Sequence, residues 1–422
     1  MPITQDVSAA ERHYSLFQMG TKEGPTLLII GGIHGDEPGG YFTPMLFSKH
    51  YRIEKGGVWV VPNLNFDSIL RNRRGLYGDM NRKFLHIDPN DNDFQPVSDI
   101  KKLILSPEVD MVLNLHDGHG FYREEAIDEI FNPGAWGQTC IIDQQNLPGV
   151  KFGNLQEIAE KVNKETNIQL REDVHEFNVK NTHTYEKDEA MRQSLTYFAI
   201  TNKKPAFAVE TSKNITDLAL KVFYQLKTIE EFLEIMGIRY QKDFDLNIEA
   251  IRALLSESGE IEIPEGKITL RLSDLRENIN FFPAKRGQPL YSSDNPLVAV
   301  IGDGNLRKIM NGNIHITTLS CEFYEFNDNV KSTDFIIDNS YKTVSMGSTV
   351  NVTDFFEVVP VAGLRANIIG FVMEDQKNEC GIKIMKKDIV PRFSIDKSER
   401  SFRVEFYRDG YFCGMVIIEF NK

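Results

Sequence analysis

The chain has 422 residues, of which 41% are hydrophobic and 26% charged, with a formal net charge of −13 at pH 7. That composition supplies enough apolar residues for sizeable cores and excludes extensive disorder, while the length exceeds what one core normally covers, so two or three domains are expected. The acidic balance argues against nonspecific nucleic-acid binding, because polyanions are repelled, and no apolar run is long enough to span a bilayer.

The first fifteen residues, MPITQDVSAAERHYS, contain neither a basic n-region nor an apolar h-region and by themselves predict a soluble, cytoplasmic chain. Leu27 to Ile30 then form a continuous apolar run, predicted to be a buried strand, and Gly31 and Gly32 allow a sharp turn after it. His34 and Glu37 sit in that turn, within GGIHGDEPGG. Imidazole nitrogen and carboxylate oxygen are ligand types that zinc accepts, and a catalytic zinc takes three protein ligands. The segment NLNFDSILRNRRGLYGDMNRKF carries Arg71, Arg73, Arg74 and Arg82. Arginine forks match carboxylates, so this cluster suggests a clamp for an anionic substrate, with a solvated basic loop as the other reading. Asp88 to Asp93, DPNDND, lacks the glycine and the closing glutamate of a calcium loop and is read as a solvated loop.

The next strand-like run, VDMVLNLHDGHG, delivers His116 before a glycine-rich turn. Two parallel strands ending side by side would bring His34, Glu37 and His116 together at the carboxyl edge of an α/β sheet. His119 is assigned to the surroundings of such a site, since a strand end does not aim residues three apart at one point. Leu155, Ile158, Ala159 and Val162 predict a helix packed on the sheet. Leu218, Val222, Leu226, Ile229, Phe232, Leu233 and Met236 predict another, ended by Gly237. From about Tyr240 short strand-like runs replace helical periodicity. The expected division is an α/β domain with a mixed sheet flanked by helices over 1–239, then β-rich domains over 240–331 and 332–422, the last an immunoglobulin-like sandwich. Cys140, Cys321, Cys380 and Cys413 are widely separated and form no CxxC pair, which makes a cysteine zinc site improbable and leaves disulfides and compartment undetermined.

Asp79, Met80, Asn81 and Arg82 resemble the DxNR element of the zinc carboxypeptidases of the carboxypeptidase A type, and the HxxE pair, the arginine-rich segment and His116 stand in that family's order. The resemblance calls for a glutamate on a later strand, and PAFAVETSK supplies Glu210. It covers about the first 235 residues, and five elements in order are far more specific than any one of them. GGIHGDEPGG, NLHDGHGFY and two added domains narrow it: the chain looks like the bacterial peptidoglycan carboxypeptidases that set helical cell shape in Helicobacter and Campylobacter. This implies one zinc ion held by His34, Glu37 and His116, with Glu210 as the base. It also implies Arg74 and Arg82, helped by Asn81, as the holders of substrate carboxylates. The implied reaction trims a muramyl tripeptide to a dipeptide, releasing meso-diaminopimelate from D-glutamate, and the implied form is a mature periplasmic one whose signal has been removed. The mobile substrate-binding tyrosine of the animal enzymes has no counterpart placed by motif; Tyr185 and Tyr197 are candidates. The β-rich domains are expected to give structural support or to meet cell-wall or protein partners.

Two other readings stand beside this one. A desuccinylase or aspartoacylase-like amidohydrolase shares the HxxE and DxNR elements but releases a small acyl acid, whereas the large β-rich additions favour a polymer-derived substrate. A noncatalytic wall-binding scaffold would keep the fold, but a degenerate enzyme commonly loses a ligand or the base, and all four are present.

Overall fold

The computed structural model describes residues 14–263, 267–287, 291–302, 304–327, 329–373 and 377–421. The chain divides into two compact units, Met1–Ser256 and Glu257–Lys422.

The first unit is built on a seven-stranded sheet. Across it the strands run Phe17–Gly20, Gly57–Val61, Thr26–Ile30, Met111–Gly118, Ala206–Ser212, Thr139–Ile142 and Asn178–Asn181. The four strands from Gly57–Val61 to Ala206–Ser212 are mutually parallel; Phe17–Gly20 and Thr139–Ile142 join them antiparallel, so the sheet is mixed as expected. Parallel strands need cover on both faces, which explains why their sequences are continuous apolar runs rather than alternating ones. Leu27 to Ile30 are fully buried, and Met111–Gly118 is buried at every position.

The helices Pro38–His50, Leu155–Asn167 and Leu218–Met236 pack on one another and on the sheet. Leu155, Ile158, Ala159 and Val162 face inward as their spacing predicts. Asp217 caps the long Leu218–Met236 helix by accepting from the Ala219 N–H, and Gly237 ends it at φ +70°. No helix among the described residues is long and apolar enough to cross a membrane.

The expected boundary at 239 falls too early. Arg239–Lys242 pairs antiparallel with Tyr51–Lys55, and the helix Ile248–Ser256 packs on Leu218–Met236 with Ile248 and Ile251 buried. Both elements therefore complete the first unit.

The second unit is β-rich and holds two cores. Its last part is the expected sandwich: two four-stranded sheets enclose a core that includes Phe335, Phe356, Phe402 and Phe406. A second core gathers Ile261, Leu270, Phe282 and Leu319 from the earlier strands, together with Phe412, Met415 and Ile417 from the final one. Successive side chains of a strand point to opposite faces. The long strand Tyr411–Phe420 slips register by one residue opposite Phe406 and Tyr407, which switches the alternation once, so that Cys413, Val416 and Ile418 enter the sandwich core and Phe412, Met415 and Ile417 the other. One strand serving two cores ties the two β-rich parts into one compact unit.

Candidate active site

The site lies where the parallel strands end. After Thr26–Ile30 the backbone turns through Gly32, at φ +70°, and reaches Glu37 immediately before the helix Pro38–His50. That helix begins against the strand carrying His116: a Cβ on Gly40 would lie 2.6 Å from the Leu115 carbonyl oxygen. On the neighbouring strand Glu210 stands in register with His116. The carboxyl edge of an α/β sheet, where such folds build their sites, thus carries all four residues.

His34, Glu37 and His116 are buried, and one ligand atom from each lies within 4.8 Å of the others. The Glu37 carboxylate is shared between the rings: His34 Nδ1 is 2.9 Å from Oε1 and His116 Nδ1 is 2.8 Å from Oε2. The other nitrogen of His34, Nε2, lies 2.8 Å from Asp79 Oδ1, an arrangement that fixes the ring and leaves Nδ1 for a ligand. Burial opposes charging of His34, but the Glu37 charge and the hydrogen bonds to Asp79 and Glu37 outweigh it and push its pKa up to about 9. Burial would raise Glu37, yet the two histidines hold it well below the usual carboxylate range. Burial lowers His116. Two imidazole nitrogens and a carboxylate converging in a buried pocket form a donor set suited to zinc, and a divalent cation fits there in place of the protons now shared with Glu37.

Glu210 is also buried. Its burial, reinforced by the charge of Glu37, raises its pKa well above the usual carboxylate range. Lys213, three residues on, places Nζ 2.7 Å from Asp36 Oδ2 and 3.7 Å from Glu37 Oε1.

The three substrate-binding candidates occupy different situations. Arg74 donates from Nη1 to Glu37 Oε1 and from Nε to Asp79 Oδ2, both at 3.0 Å, so its fork already spans a metal-ligand candidate and the carboxylate behind His34. Its side chain is nonetheless 47% exposed and open to an incoming anion. Asn81 is buried, and its Oδ1 accepts from the Leu195 N–H at 3.0 Å. Arg82 donates to the Asn81 carbonyl at 3.1 Å, and among the described residues its guanidinium pairs with no carboxylate. Lys83 secures the segment: Nζ lies 2.7 Å from the Tyr77 carbonyl and 2.8 Å from both Asp91 and Asp93. The 88–93 loop is therefore tied down by a lysine and buries Asp93, rather than being wholly solvated.

Among the described residues no hydrogen bond ties His119 to His34, Glu37, His116 or Glu210. It is exposed, and its carbonyl accepts from the Trp136 N–H. Tyr185 is exposed and Tyr197 half-buried, and among the described residues neither is hydrogen-bonded to His34, Glu37, His116 or Glu210. All four cysteines are free thiols.

Sequence reasoning missed the support behind the ligands. Asp117, buried next to His116, accepts from the Gly39 N–H at 2.9 Å and from Thr211 Oγ1, with Lys221 Nζ 3.2 Å away. A carboxylate at a helix N-terminus is electrostatically favoured, and this one fixes the helix that Glu37 precedes. Gln225 donates to the His116 carbonyl at 2.8 Å.

Comparison with known proteins accords with this geometry. Residues 11–256 match the catalytic domain of the carboxypeptidases controlling helical cell shape, and residues 326–421 match a C-terminal domain of metallo-carboxypeptidases. The apo and product-bound structures of the cell shape determinant protein Csd4 from Helicobacter pylori each superpose with a TM-score of 0.91 at 39% identity, covering 97% of this chain and 100% of theirs. The mDAP-bound form of the same protein, described as a D,L-carboxypeptidase, gives 0.90 at 40% identity, over 94% and 97%. An N-alpha-acetyl-L-2,4-diaminobutyric acid deacetylase from Halomonas elongata is 37% identical over 101 residues, a match spanning only 23% of this chain and 29% of that relative. With its catalytic unit matched throughout, the chain belongs to the family of metallo-carboxypeptidases controlling helical cell shape.

Proposed function

We propose that this protein is a zinc-dependent D,L-carboxypeptidase that trims peptidoglycan muramyl tripeptide to the dipeptide, releasing meso-diaminopimelate from D-glutamate and so contributing to cell shape. The observation that carries the reading is the convergence of buried His34, Glu37 and His116 beside Glu210. It occurs in a chain similar along nearly its whole length to an mDAP-bound D,L-carboxypeptidase.

His34, Glu37 and His116 would hold the zinc, which supplies Lewis-acid polarisation of the scissile carbonyl and acidifies water. Glu210 takes the proton of the attacking water and returns it to the leaving amine nitrogen, a role suited to a carboxyl whose surroundings raise its pKa. Arg82, which pairs with no carboxylate among the described residues, binds the terminal carboxylate, and Asn81 holds its place through Leu195. Arg74 meets the second anionic group of the substrate from its position over Glu37 and Asp79. We place the reaction in the periplasm, where peptidoglycan is found, and assign the β-rich unit to structural support with surfaces open to cell-wall or protein partners.

The test is mass spectrometry of muramyl tripeptide incubated with the purified protein, with chelator, and after zinc restoration. Loss of one diaminopimelate, abolished by chelation and restored by zinc, is expected. An intact tripeptide with zinc bound, together with turnover of small N-acyl amino acids, would instead assign an amidohydrolase, the reading favoured by the short match to the deacetylase.

A further inference from the structure

Lys180 lies on the edge strand Asn178–Asn181, where it pairs with Ile141, and Ile141 in turn stands opposite Ala208. Two rows along the sheet stand Asn178, Thr139 and Glu210. Residues two apart along a strand share a face, so Lys180 and Glu210 project to the same side. Two strand spacings separate their strands, roughly 10 Å.

The ammonium of Lys180 is held, but by neutral groups. Nζ donates to the Pro133 carbonyl at 2.9 Å and to the Ala135 carbonyl at 2.7 Å. It lies 4.2 Å from the centroid of Trp136 and 4.7 Å from that of Tyr122. These partners belong to the segment that leaves the strand of His116. Trp136 N–H donates to the His119 carbonyl at 2.9 Å, and Ser212, two residues past Glu210, donates from Oγ to the Gly120 carbonyl at 2.6 Å. Lys180 is therefore part of the wall of the site. Burial lowers its pKa to about 8, against the charges of Glu210 and Asp188, which raise it.

An ammonium carries three protons, and the two carbonyls take two. Among the described residues no carboxylate pairs with Lys180. A partly buried cation with only neutral acceptors and a proton to spare is prepared for an anion, and the flanking aromatic rings wall it from water.

On the proposed carboxypeptidase reading, on which this rests, Arg82 serves the terminal carboxylate of the substrate. We infer that the third proton of Lys180 binds the second carboxylate of the released residue, the one at the far end of its side chain, making Lys180 a specificity determinant for a dicarboxylic amino acid. The extended side chain of such a residue and the lysine stem together cover the distance between the two strands.

Muramyl tripeptides ending in meso-diaminopimelate and in L-lysine differ only in that carboxylate, so they test the inference directly. The wild-type zinc protein is expected to favour the diaminopimelate peptide in kcat/KM by at least about tenfold, as hydrogen bonds between charged, partly buried groups contribute. Lys180→Met should raise KM for that peptide and bring the ratio close to one, and Lys180→Arg should keep part of the preference. A wild-type protein that cleaves both peptides without preference overturns the inference. So does a Lys180→Met protein whose rates on both fall in proportion, which would make Lys180 only a tether of the Pro133 and Ala135 carbonyls. If Lys180→Met does not fold, as judged by circular dichroism, Lys180→Gln, which can still donate to the carbonyls but has no charge, takes its place: a ratio close to one is expected, and an unchanged ratio overturns the inference. If the wild-type protein cleaves neither peptide with zinc bound, the proposed function itself falls.

Discussion

His116 and Glu210 stand opposite each other in the parallel register of Met111–Gly118 and Ala206–Ser212. The pairing fixes a metal-ligand candidate and the proposed base on adjacent strands and on one face, so their separation is set by backbone hydrogen bonds rather than by loops. The position of Glu37 also explains why the base is absent from the ligand set. Glu37 already occupies the space between the two imidazoles, and its charge discourages ionisation of Glu210.

This separation of roles predicts the behaviour of Glu210→Gln. The amide keeps the shape of the side chain but cannot carry the water proton. Metal content should match that of the wild type, while kcat should fall by roughly 10²–10⁴, the range for loss of a positioned general base. Elemental analysis and tripeptide turnover on the same preparation check this. Near-normal turnover would remove Glu210 from the chemistry.

Asp79 predicts a different signature. Its carboxylate accepts from His34 Nε2 at 2.8 Å, from Arg74 Nε at 3.0 Å and from the Asn81 N–H at 2.9 Å. One carboxylate therefore orients a ligand candidate and two of the substrate-binding candidates, Arg74 and Asn81. Asp79→Ala should weaken zinc binding about 10–100-fold, the usual effect of removing the partner of a metal-bound histidine. Competition against a fluorescent chelator measures it, and an unchanged zinc Kd would show that the ring of His34 is held without Asp79.

What the sequence reveals and what it hides follow from where each residue sits. His34, Glu37 and His116 are legible because they are polar groups at the ends of apolar strands beside glycines, a pattern that solvent exposure does not explain. Lys221 and Gln225 are hidden, because in a helical repeat they occupy positions that read as solvent-facing. In the fold that helix is covered on several sides, and both residues turn toward His116 and its neighbour Asp117. Arg239–Lys242 is hidden for another reason: its pairing partner, Tyr51–Lys55, is remote in sequence, and nothing local distinguishes it from the β-rich runs that follow. Arg74 is legible as a carboxylate fork, but which carboxylates it meets is decided by tertiary structure.

Lys221 and Asp117 form an ion pair with almost no exposure, 7% and 0% for the two side chains, which makes the pair a test of how the ligand scaffold is stabilised. Lys221→Met leaves the Asp117 carboxylate buried with only the Gly39 N–H and the Thr211 hydroxyl. Breaking such a pair from one side costs about 3–5 kcal/mol. Removing the charge as well, in Lys221→Met with Asp117→Asn, should restore much of the loss. Both tryptophans, Trp59 and Trp136, lie in the first unit, so urea unfolding followed by their fluorescence reports on it. Equal stability of the single and double variants would show that Asp117 does not depend on the ion pair.

Asp143 predicts how stability depends on pH. It follows the strand Thr139–Ile142, is buried, and accepts hydrogen bonds from the hydroxyls of Thr184 and Thr196, and among the described residues no cation pairs with it. Burial outweighs those hydrogen bonds and moves its pKa from 3.8 to about 6. The folded protein thus holds the proton more tightly than the unfolded chain. The corresponding stability is fully present below pH 3.8 and is lost as pH rises through about 6, a loss on the order of 3 kcal/mol by neutral pH. Asp143→Asn keeps an oxygen for the threonine hydroxyls and never ionises. It should therefore gain stability over the wild type at pH 7 but not at pH 3.5, with the difference growing between pH 4 and 6. Urea unfolding of both proteins across that window, followed by tryptophan fluorescence, measures the difference. A gap independent of pH would mean that Asp143 titrates in the folded protein as it does in the unfolded one.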